Sequence, residues 1–460
     1  MILGLARQGV ALARFLAEAG AEVTVSDLQG EDALADRLKE LADLPIRYAL
    51  GGHPIHLLDD TDLLFLSGGV PVGVPIVREA QERGIPLSND AQIFLDRCAA
   101  PVIGITGSAG KTTTTALVGE MCRATGLRTW VGGNIGNPLI DDLAEIQREH
   151  IVVMELSSFQ LELMTTSPQI AAVLNVTPNH LDRHKTMEAY IAAKENVIAH
   201  QTAEDAAVLG YDDANARALA LETPADLYFF SGGAEVEAGA FKTNGELTLR
   251  MDGHDREICK VAEVKLLGRH NVLNVLASSV LASLGGASLE AIREVATSFT
   301  GVEHRLELVG DLEGVRWYDD SIATAPERAI AAMRSFEAPI VLLAGGRDKD
   351  LPWGAFADEV LNSVRWLIAF GEAGPMIAET VDQVRASVNG IDASSHSPEL
   401  EGVTTVGRLE EAVEEAARRA RVGDVVLLSP GGTSFDAFQD FAARGERFCE
   451  LVSQLGEVEA

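Results

Sequence analysis

The sequence predicts an α/β protein of three domains. Three observations carry that expectation: apolar runs alternate with helical patterns along the whole chain, the alternation pauses twice, and 460 residues exceed what one hydrophobic core usually serves. Met1 to Leu5 reads as a strand, Val10 to Ala19 as a helix and Glu22 to Ser26 as the next strand, with Gly or Asp as punctuation. The pattern pauses near Arg97 to Ala100, where Pro101 opens the strand Val102 to Thr106, and again near Thr300 to His304, ahead of the strand Val315 to Asp319. The expected domains are 1–98, 99–300 and 301–460. A two-stranded β insertion, Leu227 to Phe230 and Phe241 to Met251 with a turn at Asn244-Gly245, is expected inside the middle one. The first strand is short by several residues, so the start codon is expected upstream.

Composition excludes several classes of function. No stretch approaches the ~20 apolar residues needed to span a bilayer, and Met1 to Leu5 lacks the basic region and cleavage site of a secretory signal, so a cytoplasmic protein without membrane insertion is expected. Cys98, Cys122, Cys259 and Cys449 are scattered without close pairs, against both a disulfide framework and a zinc site. A net charge of −32 repels phosphate backbones, which argues against nucleic acid as a partner. Any phosphate ligand must be held locally.

One segment supplies such a hold. Val102 to Thr106 reads as a buried parallel strand and Thr112 to Cys122 as the helix after it, joined by Gly107-Ser108-Ala109-Gly110 with Lys111 at the helix start. Backbone N–H groups and the helix dipole converge there on an anion, Lys111 adds charge, and the hydroxyl of Thr112 or Thr113 reaches Mg²⁺. That is a nucleoside triphosphate site, although the strict spacing would need glycine where Ile105 stands. Glu155 ends the apolar run Ile151 to Met154, at the same carboxyl edge of a parallel sheet, and a carboxylate there suits Mg²⁺. His180 follows the strand Ile170 to Val176. Lys194 falls within the apolar face of a helix over Met187 to Ala199, beside Tyr190, Val197 and Ile198, where burial would favour the neutral amine. Gly4-Leu5-Ala6-Arg7-Gln8-Gly9, with Asp27 further on, is a weak dinucleotide fingerprint in which Ala6 disfavours a bound pyrophosphate and hence an NAD-dependent oxidoreductase.

The stretch Thr106 to Thr114 resembles the phosphate loop of the Mur ligase and folylpolyglutamate synthetase superfamily. Gly132-Gly133-Asn134-Ile135-Gly136, Glu155-Leu156-Ser157-Ser158-Phe159-Gln160-Leu161, Asn175 to His184 and Gly268 to Asn274 narrow the resemblance to the glutamate-adding Mur ligases. It implies a Rossmann-like N-terminal domain, a central P-loop ATPase-type domain with a parallel or mixed sheet, and a Rossmann-like C-terminal domain. The implied enzyme is a monomer that uses ATP to add glutamate to UDP-N-acetylmuramoyl-L-alanine. D-glutamate is favoured, and an L-glutamate-adding variant or a folylpolyglutamate-type ligase stands as the alternative. By the same resemblance Gly107, Ser108, Ala109, Gly110, Lys111, Thr112, Thr113, Asn274, Arg305 and Asp320 contact ATP, while Arg7, Gln8, Asp27, Ser67, Gly69 and Asn134 contact the UDP substrate. Thr324, Lys349, Ser434 and Phe441 are given to glutamate, Ser434 also because it precedes an expected helix start. Two Mg²⁺ sites fall to Thr112, Glu155, His180 and a carbamylated Lys194, and Lys111, Glu155, His180 and Lys194 form the catalytic set. The related motif reads Asp-Ser-Lys-Ala-Thr-Asn, whereas this chain has Asp320-Ser321-Ile322-Ala323-Thr324-Ala325 and lacks that positive charge.

Overall fold

Several parallel strands of this protein, among them Val102–Thr106, Ile151–Glu155, Ala206–Gly210 and Ile340–Gly345, are near-continuous apolar runs ending in Thr, Glu or Gly, where polar loops take over at a sheet edge. A computed structural model describes residues 1–135, 138–266, 268–349, 351–388 and 400–458, so that Gly136 of the expected motif lies outside it, as do the side chains at 182, 269, 387, 388, 457 and 458. The chain forms two compact units, Met1–Phe299 and Thr300–Ala460. No helix among the described residues is long and apolar enough to cross a membrane, and the four cysteines are unbridged.

Unit one carries two sheets. The first joins β1 (Ile2–Leu3), β2 (Val23–Asp27), β3 (Ile46–Leu50), β4 (Leu64–Leu66) and β5 (Leu87–Ser88) in the all-parallel order β3-β2-β1-β4-β5. The order reverses between β1 and β4, so the loops after both strands open at a topological switch point.

The second sheet comprises β6 (Val102–Thr106), β7 (Thr129–Gly133), β8 (Ile151–Glu155), β9 (Ile170–Val173), β10 (Ala206–Gly210), β11 (Asp226–Ser231), β12 (Gly239–Thr243), β13 (Glu246–Met251) and β14 (His254–Lys260). Its order is β14-β13-β12-β11-β10-β9-β6-β8-β7, parallel except where β13 pairs with β12 and β14. Ile103 and Ile105 pack under Leu117, Val118 and Met121 of the helix Lys111–Ala124, while Val102 joins a separate cluster with Tyr190, Val197 and Ile198. The two clusters cover both faces of the parallel part of the sheet, and polar loops follow at its carboxyl edge.

Three expectations are corrected here. The two-stranded insertion is four strands: β11 pairs parallel with β10, β12 continues the sheet, and the expected run Phe241 to Met251 folds back on itself at Asn244-Gly245, both with positive φ. The helix of Lys194 spans Met187–Glu195, because the Val197 amide bonds the Lys194 carbonyl in a tighter i to i+3 turn; Val197 and Ile198 are nevertheless buried. The strand expected to reach Val176 ends at Val173, where the chain turns toward the phosphate loop.

Unit two holds β15 (Glu307–Leu312), β16 (Val315–Asp319), β17 (Ile340–Gly345), β18 (Val364–Phe370), β19 (Gly402–Val406) and β20 (Val425–Gly431) in the order β15-β16-β20-β17-β18-β19, parallel but for the β15–β16 pair. The loops after β16, β17 and β20 share its carboxyl edge.

Candidate active site

The loop after β6 is built to expose backbone amides. Gly110 takes the left-handed conformation at φ +85° and starts the helix Lys111–Ala124, whose first N–H groups have no partner inside the helix. Asn175, beyond the end of β9, clamps the loop from the neighbouring strand: its carboxamide accepts from the Ala109 amide at 2.9 Å and donates to the Ala109 carbonyl at 3.0 Å. The Ser108 hydroxyl bonds the Thr177 backbone and lies 3.1 Å from the Tyr190 hydroxyl. Thr113 is buried in the first turn, and Asn274 lies behind the loop, 3.5 Å from the Thr114 hydroxyl. Asn175 and the Tyr190 hydroxyl had no role in the sequence reading. The position of Asn175 just past an apolar run was the available signal.

Glu155 ends β8 only 2% exposed. Its carboxylate accepts from the Thr112 hydroxyl at 2.8 Å and the Asn134 side chain at 2.9 Å, both neutral donors. A buried carboxylate beside a hydroxyl, at the mouth of a phosphate loop, is a donor set suited to a hard divalent cation. Lys194 is 1% exposed; its amine donates to the Gly107 carbonyl at 2.9 Å and lies 3.4 Å from the Thr106 hydroxyl, above the Tyr190 ring. Burial, reinforced by Lys111 and opposed by Glu155, lowers its pKa to about 6. Lys111 reaches the same carbonyl at 3.0 Å. His180 is exposed, holds φ +53°, and meets the Phe159 ring edge-on at 5.2 Å. Thr112, Glu155, Lys111 and Lys194 thus surround the phosphate loop, whereas His180 packs on the Phe159 side of the same edge.

At the first switch point, Asp27 uses both carboxylate oxygens on backbone amides, those of Leu5 at 2.6 Å and Gln29 at 2.8 Å, which shapes the Gly4 to Gly9 loop. Arg7 and Gln8 open the helix Arg7–Glu18. Ser67 is buried with a hydroxyl that has no hydrogen-bond partner among the described residues, and the carbonyl of exposed Gly69 faces Arg183 at 3.4 Å. Arg7, Arg14 and Arg37 line a cavity of about 250 Å³ closed by Pro138 and Asp141. Glu40 also lines it, and Arg14 pairs with Asp141 at 3.0 Å and Glu40 at 3.7 Å, while Arg37 donates to the Leu5 carbonyl of the Gly4 to Gly9 loop.

In unit two the loop after β16 is tied from several sides. Asp320 accepts from the Ser429 hydroxyl at 2.8 Å and the Leu306 amide at 3.3 Å; burial pushes its carboxyl up to about 7, with Arg305 pulling the other way. Arg444 is fully buried and holds the Ser321 and Gly432 carbonyls, fastening this loop to the one after β20. Thr324 accepts from Lys349 at 3.3 Å. Ser434 is followed by a turn in which the Ala437 and Phe438 amides close on its own carbonyl, and the helix begins only at Phe441. The expected helix start at Ser434 is therefore corrected. Phe441 is exposed at the head of that helix, its carbonyl accepting from Ser321. His304, Glu307 and Asp319 are spaced to hold a metal, but the His304 ring bonds Asp319 at 2.7 Å, the His304 amide bonds Glu307 and the Ser321 amide bonds Asp319. Asp319 was read from the sequence only as the end of a strand beside Asp320 and Ser321, and Arg444 was not singled out, since it fits no motif.

The whole chain has known relatives. Residues 1–89 match the MurD-like N-terminal domain of Mur ligases, residues 105–282 the Mur ligase middle domain and residues 304–432 the Mur ligase glutamate ligase domain. Proteins named UDP-N-acetylmuramoylalanine--D-glutamate ligase from Symbiobacterium thermophilum and Acetivibrio thermocellus are 43% and 40% identical over 99% of this chain and 97% and 96% of their own. Among solved structures, the UDP-N-acetylmuramate-alanine ligase of Thermotoga maritima superposes with a TM-score of 0.57 at 20% identity, covering 99% of both chains. The MurF ligase of Thermotoga maritima, solved with ADP, gives 0.56 at 19% identity over 98% of this chain and 99% of its own.

Proposed function

This chain belongs to the Mur ligase family, whose members use ATP, and from that premise we propose that it adds D-glutamate to UDP-N-acetylmuramoyl-L-alanine in the cytoplasm, a step of peptidoglycan precursor synthesis. The γ-phosphoryl of ATP passes to the alanine carboxylate, and the glutamate amine then attacks the acyl phosphate, releasing phosphate. The observation that carries this reading is the convergence of Lys111, Lys194 and the Thr112–Glu155 pair on one phosphate loop. Identity above 40% over the full length of a D-glutamate ligase supports the choice of amino acid.

The amides from Gly107 to Thr113 cradle the phosphates and Lys111 neutralises charge as the phosphoryl group moves. Thr112 and Glu155 would hold one Mg²⁺, which would supply charge neutralisation on the phosphates. We assign the second Mg²⁺ to His180 and a carbamate on Lys194. A carbamate forms only on a neutral amine, and the environment of Lys194 favours that state. Arg7 and Arg37, beside the Gly4 to Gly9 loop, offer cations to a diphosphate, with Gln8, Ser67, Gly69 and Asn134 near the rest of the UDP substrate and Asp27 holding the loop in shape. Asn274, Arg305 and Asp320 are given to the nucleotide, and Thr324, Lys349, Ser434 and Phe441 to glutamate.

A second reading, addition of L-glutamate, rests on the missing lysine at Ile322. Phosphate release from ATP, measured with UDP-N-acetylmuramoyl-L-alanine and either D-glutamate, L-glutamate or neither, separates the two. Release with D-glutamate alone is expected. Release with L-glutamate alone selects the second reading, and silence with both overturns the ligase reading.

A further inference from the structure

The positive charge missing at Ile322 has a candidate replacement close by. Arg328, on the helix Pro326–Met333, extends a guanidinium nitrogen to 3.4 Å from the backbone carbonyl of Ile322 itself. Lys349 comes from the loop after β17 to the Thr324 hydroxyl in the same segment. We propose that Arg328 is a specificity-determining cation of the amino-acid site, standing in for the lysine that the related motif carries at position 322, and that Arg328 and Lys349 together hold the carboxylates of the incoming glutamate.

Three features support this. Arg334, Arg347, Arg365 and Arg421 of the same unit end on carboxylates, whereas neither Arg328 nor Lys349 makes an ion pair among the described residues. Both side chains are exposed, and in a chain of net charge −32 two neighbouring cations form a local site that an anion from solvent can reach. Lys349 also feels Arg328 directly: its pKa is lowered first by desolvation and then by Arg328 and Arg444. A dicarboxylate relieves that repulsion, and a forked guanidinium is a better carboxylate partner than the aliphatic side chain of Ile322. Arg444 is itself engaged with the Ser321 and Gly432 carbonyls, which leaves Arg328 and Lys349 for the ligand.

The inference rests on the glutamate-adding reading, and its test separates the two. Wild-type protein must first release phosphate with glutamate and UDP-N-acetylmuramoyl-L-alanine; if it does not, the reading fails before any variant is made. In an active protein, Arg328→Ala is expected to raise the KM for glutamate roughly 10- to 100-fold, the loss of one charge-assisted hydrogen bond, with the KM values for ATP and the UDP substrate unchanged. Installing the lysine of the related motif, Ile322→Lys, in the Arg328→Ala background is expected to recover much of that loss. An unchanged KM for glutamate in Arg328→Ala overturns the proposal, as does an equal rise for all three substrates. Thermal melting of both variants checks that the fold is intact.

Discussion

Lys111 and Lys194 donate to the same atom, the carbonyl oxygen of Gly107, at 3.0 and 2.9 Å. Two ammonium groups sharing one acceptor repel each other, and the one that is almost wholly buried gives up its proton more readily. Lys111 is only half-buried at the head of its helix, beside the Gly107 to Gly110 loop. Two lysines bonded to one loop therefore differ in burial, and burial together with Lys111 is what lowers the pKa of Lys194.

That division predicts the behaviour of Lys194→Ala. Its kcat should fall at least about 100-fold, the cost typical of removing a group that stabilises transition-state charge, and high concentrations of bicarbonate or a short carboxylic acid should restore part of it. Steady-state phosphate release provides the readout. Unimpaired turnover in the variant would remove the carbamate role.

Gly110→Ala tests the loop geometry. The glycine holds φ +85°, and a Cβ there would overlap the Asn274 carboxamide. A non-glycine residue costs about 1–2 kcal/mol in that conformation before any clash. The KM for ATP is expected to rise more than about tenfold, a shift of more than 1.4 kcal/mol. Nucleotide titration that matched wild type would show that the loop adjusts without cost.

Gly445→Ala tests the support of the nucleotide residues in unit two. Gly445 lies against the hydrogen-bonded His304 ring and Asp319 carboxylate, and an added methyl group would land on both. Because Arg305 and Asp320 adjoin this pair in sequence, the variant should lose about 1–3 kcal/mol of stability in urea and bind ATP less tightly. Identical denaturation midpoints would mean that the helix shifts to make room.

Asp90 predicts a dependence on pH. Burial raises its carboxyl to about 6, and one of its oxygens has no hydrogen-bond partner among the described residues. The folded protein therefore holds this proton more tightly than the unfolded chain. Stability from the group is complete below about 3.8 and is lost as pH rises to about 6, after which the loss stays constant. Asp90→Asn should be more stable than wild type at pH ~8 by on the order of 2 kcal/mol and close to it at pH ~4. Urea melts at the two pH values decide it, and an equal difference at both would contradict the assignment.

Much of the fold was legible because buried parallel strands are apolar runs with sharp ends. Val102 to Thr106, Ile151 to Glu155 and Val315 to Asp319 declare themselves, and each places its last polar residue at a sheet edge. The helix of Lys194 was overextended because Val197 and Ile198 keep their apolar pattern through a tighter turn. Composition cannot distinguish the two backbones.

The sequence by itself determined which residues could meet phosphate and metal: glycines, Lys111 and Thr112 at a strand–helix junction, and Glu155 at a strand end. Those roles depend on local backbone geometry, which nearby residues dictate. Tertiary structure alone decided that Asn175 clamps Ala109, that Arg444 fastens the loops after β16 and β20, and that Arg328 reaches the Ile322 carbonyl. Asn175 and Arg444 join segments far apart in the chain, and Arg328 reaches back through a helix start whose direction the surrounding sheet sets. The periodicity of a single segment carries no information about which neighbour its side chains will find.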